Sequence, residues 1–283
     1  MEVIYLIMEK ILPFSWIEFS FMKNALLAVI LIAPLFGLIG TMIVNNKMSF
    51  FSDAMGHCAL TGIAIGVMLG INNYGVSMIA FALIFALGIS TIIDSGVSSS
   101  DTIIGVFSSA GMALGIVILS MSGGFSKYTG YLTGDILSIS KNEILTLSVV
   151  SVIIILIWFL SFNKLMISSL NADMARSKQV NVRFYKNIFV ILVALIVTVS
   201  IKWVGMLIIN SLLVLPAASA RNLVKKMSSY HMVSVLISLF SGILGLILSY
   251  YMGTSAGATI VLISAGVFFI TFLVNKICHL SWV

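Results

Sequence analysis

The chain has 283 residues, 60% of them hydrophobic and only 8% charged, with three prolines and a net charge of +6. These proportions exclude a soluble enzyme. In so apolar a chain the positive balance reflects basic cytoplasmic loops rather than a nucleic-acid surface.

The first twenty residues carry Glu2, Glu9 and Glu18 among aromatics and read as an interfacial segment, 1–22. No cleavable signal is evident, because the first apolar stretch lacks a small-residue cleavage site and runs on as a full span. Apolar runs then recur at about 23–44, 48–70, 75–93, 102–121, 143–162, 188–201, 204–220, 231–251 and 255–275. Runs of roughly 20 residues match a hydrocarbon core of ~30 Å. The expectation is an all-α polytopic membrane protein of eight or nine transmembrane helices, with 23–283 as a single transmembrane domain. Cys58 and Cys278 lie in or beside apolar segments and suggest no disulfide framework.

Charge orients the spans. Segment 163–187 carries Lys164, Arg176, Lys178, Arg183 and Lys186 against the single acid Asp173, and Arg221, Lys225 and Lys226 follow the seventh run. Both clusters belong on the cytoplasmic side. An even number of crossings must separate them, so 188–201 and 204–220 form a hairpin turning at Lys202–Trp203. Counting back puts 45–47 and 95–100 inside, and 71–74, 122–142 and the N-terminus outside. No internal repeat is present, and no GxxxxGK[ST] loop, so this chain does not hold ATP by a Walker loop.

The stretch SDAMGH, 52–57, sets an aspartate and a histidine four residues apart in an otherwise apolar run. Residues i and i+4 share a helical face. With a helix starting at Met48, Asp53 lies about 7 Å deep and His57 about 14 Å, near the midplane. An aspartate at a helix centre costs roughly 2.5–3.5 kcal/mol. A carboxylate and an imidazole one turn apart make half a site for a divalent transition metal, completed by a second copy related by a two-fold axis. The alternative is a structural pair, with Ser52 or Asp53 capping the helix and His57 bonded to Asp53. Cys58, Gly62, Gly66 and Gly70 form a small-residue ladder on the broadly opposite face, suited to close packing.

Other polar residues have simpler readings. Asp101 opens a helix after Ser98–Ser100 and interacts with its dipole. Asp135, with Gly130 and Gly134, marks a tight external turn. Both are candidates for a secondary metal path. Asp94 ends a span and reads as solvated. Asn210 and Ser211 suit helix–helix hydrogen bonds, Pro216 a kink, and Arg221 a snorkelling position. His231 and His279 read as interfacial. The sixteen methionines are scattered core filler, with no Met-x-x-Met cluster arguing for copper.

Four segments in order carry a resemblance: SDAMGHCALTGIAIG, SSSDTIIGVFSSAGMALGIVILS (98–120), YLTGDILSIS (131–140) and WVGMLIINSLLVLPAASAR (203–221). They resemble bacterial ABC transporter permeases for zinc, manganese and iron uptake, over nearly all of the chain beyond residue 20. The resemblance implies a type II importer-like, homodimeric permease in the bacterial cell membrane. It implies a separate cytoplasmic ATPase and an extracytoplasmic metal-binding protein or lipoprotein as partners, and a transported ion rather than a tightly bound cofactor. It carries Asp53 and His57 over as metal ligands. NADMARSKQV within 163–187 resembles the coupling helix that meets the ATPase, through Asp173, Ala175, Arg176 and Gln179. Gln179 stands where the family pattern has glycine, which bears on the turn there. The competing readings are a permease for a metal chelate or siderophore, a stand-alone proton-coupled carrier, and an intramembrane metalloenzyme. The last lacks a second histidine pair and a placed general base.

Overall fold

The computed structural model describes residues 2–11, 14–71, 73–121, 128 and 130–277. Cys278, His279 and most of 122–129 lie outside the described residues. The helices are α1 (Glu2–Ile11), α2 (Ser20–Asn45), α3 (Phe51–Met68), α4 (Tyr74–Asp94), α5 (Ser100–Met121), α6 (Gly130–Thr133) and α7 (Lys141–Leu170). They continue as α8 (Ala172–Ser177), α9 (Val182–Val204), α10 (Met206–Leu223), α11 (Met227–Met252) and α12 (Ala256–Ile277). Short 3-10 turns cover Ser15–Glu18 and Ile136–Ser138. Among the described residues there is no strand, as the apolar periodicity predicts.

Among the described residues, eight helices are long and apolar enough to cross a bilayer: α2, α3, α4, α5, α7, α9, α11 and α12. The remaining run, the seventh, forms α10. It carries Asn210, Ser211, Pro216, Arg221 and Asn222 and is the least apolar of the long helices. The N-terminal segment, read as interfacial or partly helical, forms α1 and a 3-10 turn that buries Trp16 and Ile17.

The chain groups into two compact units. The first comprises Met1–Thr41, Gly134–Val152 and Ser211–Val283. Here α2 and α11 run antiparallel at close range. A Cβ on Gly37 would stand 2.7 Å from Val235 Cα, and one on Gly242 the same distance from Val29 Cγ1. Ser234 Oγ donates to Gly37 O at 2.7 Å. His231, expected at an interface, is 6% exposed, with Nδ1 2.6 Å from Thr41 Oγ1. Lys23 pairs with Glu9, and Asn24 Nδ2 donates to Ile139 O at 3.0 Å, which ties α1 and the 135–140 element to the start of α2.

The second unit comprises Met42–Thr133 and Ile153–Asn210. Gly62 and Gly66 of α3 meet Met78 and Ser77 of α4, so these helices are antiparallel. Gly111 and Gly115 of α5 meet Cys58 and Thr61, so α5 runs parallel to α3. The far end of α4 meets the start of α9: Asp94 pairs with Lys186, and Ser90 Oγ donates to Asn187 Oδ1 at 3.0 Å. Asp94 is therefore bridged, not merely solvated. Helix α9 returns along α4 to the apolar cluster of Leu60, Met78 and Ile201. The chain then reverses. Met206 lies against Gly56 and Asn210 bonds Ser52, so the start of α10 runs antiparallel to α3. The hairpin inferred from charge parity is present, but it turns at Gly205. Lys202 and Trp203 are still helical, and Gly205 takes φ +90, which a residue without a Cβ adopts cheaply.

Three helix ends share one device. At each, the amide two positions past the cap bonds back to the carbonyl five residues earlier and the intervening residue is left-handed. Gly70 (φ +68) closes α3, so it terminates the small-residue ladder rather than packing in it. Lys47 (φ +54) closes α2 and delays the start of α3 to Phe51. Gln179 (φ +56) closes α8, with Val180 N–H donating to Ala175 O at 3.0 Å and Gln179 N–H to Arg176 O at 2.9 Å. The turn expected of a glycine at 179 is thus formed by a glutamine, against an intrinsic cost of about 1–2 kcal/mol. Gln179→Gly relieves that cost, less the extra entropy of an unfolded glycine. Thermal unfolding of the detergent-solubilised protein should therefore show a stabilisation of up to about 1 kcal/mol. An unchanged or lowered midpoint contradicts this account of the turn.

Candidate functional site

Asp53 stands in the first turn of α3 and His57 in the second. Because α3 starts at Phe51, at ~1.5 Å per residue they lie about 3 and 9 Å along it, shallower than a start at Met48 implies. His57 is thus about a third of the way along α3 rather than at its middle. The side chains converge: His57 Nε2 is 3.4 Å from Asp53 Oδ2, with 14% and 33% of the two side chains exposed. That separation is within ion-pair range and long for an N–H···O hydrogen bond. His57 Nδ1 is buried and has no hydrogen-bond partner among the described residues.

The capping alternative is not realised. Phe50 holds the cap position of α3 without a side-chain bond, and Ser52 Oγ donates instead to Asn210 Oδ1 at 2.6 Å. Asn210 therefore makes the interhelical bond expected of a polar residue in an apolar run.

The neighbours of α3 define where the pair points. Taking Asp53 as the origin and ~100° per residue, His57 lies at about +40°. Gly56 and Ser52, at about −60° and −100°, meet Met206 and Asn210 of α10. Thr61 and Cys58, at about +80° and +140°, meet α5, where Thr61 Oγ1 donates to Gly111 O. Gly62 and Gly66, near +180° and +220°, meet α4. Two flanks and the back are thus taken, and Asp53 and His57 lie in the sector of α3 between its contacts to α10 and α5. Further along that sector stand Leu60 and Ala64, buried in the cluster with Met78, Ile201 and Met206. The polar pair is followed by a sealed apolar stretch.

Cys58 Sγ donates to Met55 O at 3.1 Å and its backbone lies against Gly111, which makes it a small packing residue. Among the described residues no group of three or more His, Cys, Asp or Glu is placed to hold a metal.

Asp101 is exposed in the first turn of α5, where Ser99 Oγ accepts from Thr102 N–H at 3.2 Å. Asp135 is exposed and caps the Ile136–Ser138 turn, its Oδ1 accepting from Leu137 N–H at 3.0 Å. In α8, Asn171 Oδ1 caps the first turn, Ala175 is buried, and Asp173 and Arg176 form an exposed pair at 3.4 Å. Gln179 is exposed at its end. Sequence reasoning missed the Ser52–Asn210 bond and the Met206–Gly56 contact. Only the polarity of Asn210 hinted at the first.

A family model described as the ABC 3 transport family matches residues 18–275. The chain is 30% identical over 256 residues to the manganese transport system membrane protein MntC of Listeria monocytogenes, covering 90% of this chain and 91% of that one. It is 30% identical over 251 residues to the high-affinity zinc uptake system membrane protein ZnuB of Haemophilus influenzae, covering 88% and 96%. PsaBC from Streptococcus pneumoniae, solved in complex with a Fab, superposes with a TM-score of 0.80 at 28% identity, over 96% of this chain and 95% of that chain. The chain belongs to the ABC 3 transport family.

Ser52 is fully buried, so Ser52→Ala removes a bond that holds α3 to α10 and leaves Asn210 Oδ1 short of a donor. The expected loss is about 1 kcal/mol, read as a lowered thermal midpoint in detergent. No change in the midpoint would show that the bond is not formed.

Proposed function

We propose that this family member is the membrane-spanning permease of an ATP-driven importer for a divalent transition-metal ion, with Asp53 and His57 as the ligands in transit. The observation that carries the reading is the convergence of His57 Nε2 and Asp53 Oδ2, 3.4 Å apart, in the sector of α3 between its contacts to α5 and α10. The manganese and zinc transport named for the relatives supports the same cargo class.

Two ligands do not complete a coordination sphere. A second copy about a two-fold axis brings a second carboxylate and a second imidazole to the same edge, leaving positions for water. Oxygen and imidazole nitrogen together suit manganese, zinc and iron(II). A sphere part protein and part water holds the ion firmly enough to select it and loosely enough to release it. The protein contributes dehydration and placement, and no covalent bond changes. Asp101 and Asp135 are the candidate carboxylates of a secondary metal path.

The chain lacks a Walker loop, so ATP is hydrolysed by a separate cytoplasmic subunit. That subunit engages α8, where Met174 and Arg176 are exposed around the buried Ala175. An extracytoplasmic binding protein delivers the ion to the opposite face.

The test is cellular metal content by mass spectrometry, in a strain lacking its own uptake systems and expressing the permease, its ATPase and its binding protein. Wild type should raise one metal. His57→Ala and Asp53→Asn, at matched protein levels, should each cut that rise by about tenfold or more. Undiminished accumulation in His57→Ala would make the pair structural and bring the chelate reading forward. Accumulation without the ATPase would instead support a stand-alone carrier.

A further inference from the structure

The start of α9 is held unevenly. On one side it is bonded to α4 twice, one turn apart: Lys186 to Asp94, and Asn187 to Ser90. Ser90 is fully buried, and Lys186 and Asp94 keep 23% and 31% of their side chains exposed, so both links are partly shielded from water. On another side Lys186, Val182 and Phe189 line a cavity of about 60 Å³ whose opposite wall is Met42, Met48 and Leu165. Ser168 also lines it, and its Oγ is buried and has no partner among the described residues. The first turns of α9 are thus bonded toward α4 and face unfilled space toward the ends of α2 and α7.

Helix α8 is joined to α9 by only four residues, Lys178 to Asn181, and Asn181 Oδ1 caps α9 through Phe184 N–H at 3.1 Å. A displacement of α8 therefore reaches the first turn of α9 with little slack. From there the polar links carry it to α4. Helix α4 in turn meets α3 at backbone distance, with Gly62 and Gly66 against Met78 and Ser77.

We infer that Lys186–Asp94 and Asn187–Ser90 form a strut that transmits movement of α8 through α4 to the helix bearing Asp53 and His57, with the cavity giving α9 room to move. This rests on the proposed ATP-driven reading of the chain. These four are positioning residues, since none is placed at the ion. A strut predicts loss of coupling: ATP is still hydrolysed, but less metal moves per ATP.

The experiment uses the complete complex of permease, ATPase and binding protein in liposomes, with manganese and zinc as the probe ions, and measures uptake and ATP hydrolysis together. Asp94→Asn and Lys186→Met should keep hydrolysis near wild type while uptake per ATP falls by about threefold to thirtyfold. The exchange Asp94→Lys with Lys186→Asp should recover most of that ratio, which a merely destabilised fold would not do. Ser90→Ala, a small change inside α4, should lower the ratio in the same direction. Wild-type uptake per ATP in the single variants would overturn the inference and leave the importer reading intact. So would a proportional fall in both activities that the charge exchange does not rescue. Failure of wild type to accumulate manganese, zinc or, as a third probe, iron(II) with ATP would overturn the importer reading itself, and the strut with it.

Discussion

The arrangement depends on how closely α3 is allowed to approach its neighbours. Gly62 and Gly66 bring it to the backbone of α4, and Gly111 and Gly115 bring α5 to Cys58 and Thr61. In a bilayer no hydrophobic force drives helices together, so small residues that let backbones touch, with interhelical hydrogen bonds, decide rotation and register. The contacts to α4, α5 and α10 occupy three sectors of α3 and leave the edge with Asp53 and His57. Any larger residue at Gly62 would meet Met78 Cα at 2.8 Å and rotate or push out the helix, and the polar pair would move with it.

Much of this was legible beforehand, for physical reasons. The bilayer imposes length and apolarity, so helix number and approximate bounds follow from hydropathy. The positive-inside bias required a hairpin in the sixth and seventh apolar runs. The pair at 53 and 57 stood out because charge in such a run is costly. Where the reading slipped, the cause was a helix end. Lys47 in a left-handed conformation delays α3 and moves His57 off its middle, and Gly70 ends α3 instead of packing. Ordinary propensity does not flag a left-handed lysine or glutamine. The family glycine position did flag Gln179, where the turn survives at a cost. The burial of His231 and the bridge made by the exposed Asp94 went unseen because their partners, Thr41 and Lys186, are 190 and 92 residues away.

The proposed site and the proposed strut place opposite demands on one unit. An ion site needs fixed ligand geometry, which the glycine contacts and the Ser52–Asn210 bond supply. A transport cycle needs an element with somewhere to go, which the cavity beside Lys186 supplies. Rigid packing around α3 and slack at the start of α9 confine movement to the end nearest α8.

The central claim is that two copies of the chain hold one ion through Asp53 and His57. Pulsed electron paramagnetic resonance of manganese(II) bound to the purified permease tests it most directly, because imidazole nitrogen coupled to the ion modulates the echo decay. The account predicts nitrogen modulation from a pair of equivalent histidines, one ion for each pair of chains, and loss of the modulation in His57→Ala. A bound ion with water and oxygen ligands alone, or nitrogen coupling unchanged in His57→Ala, would contradict it.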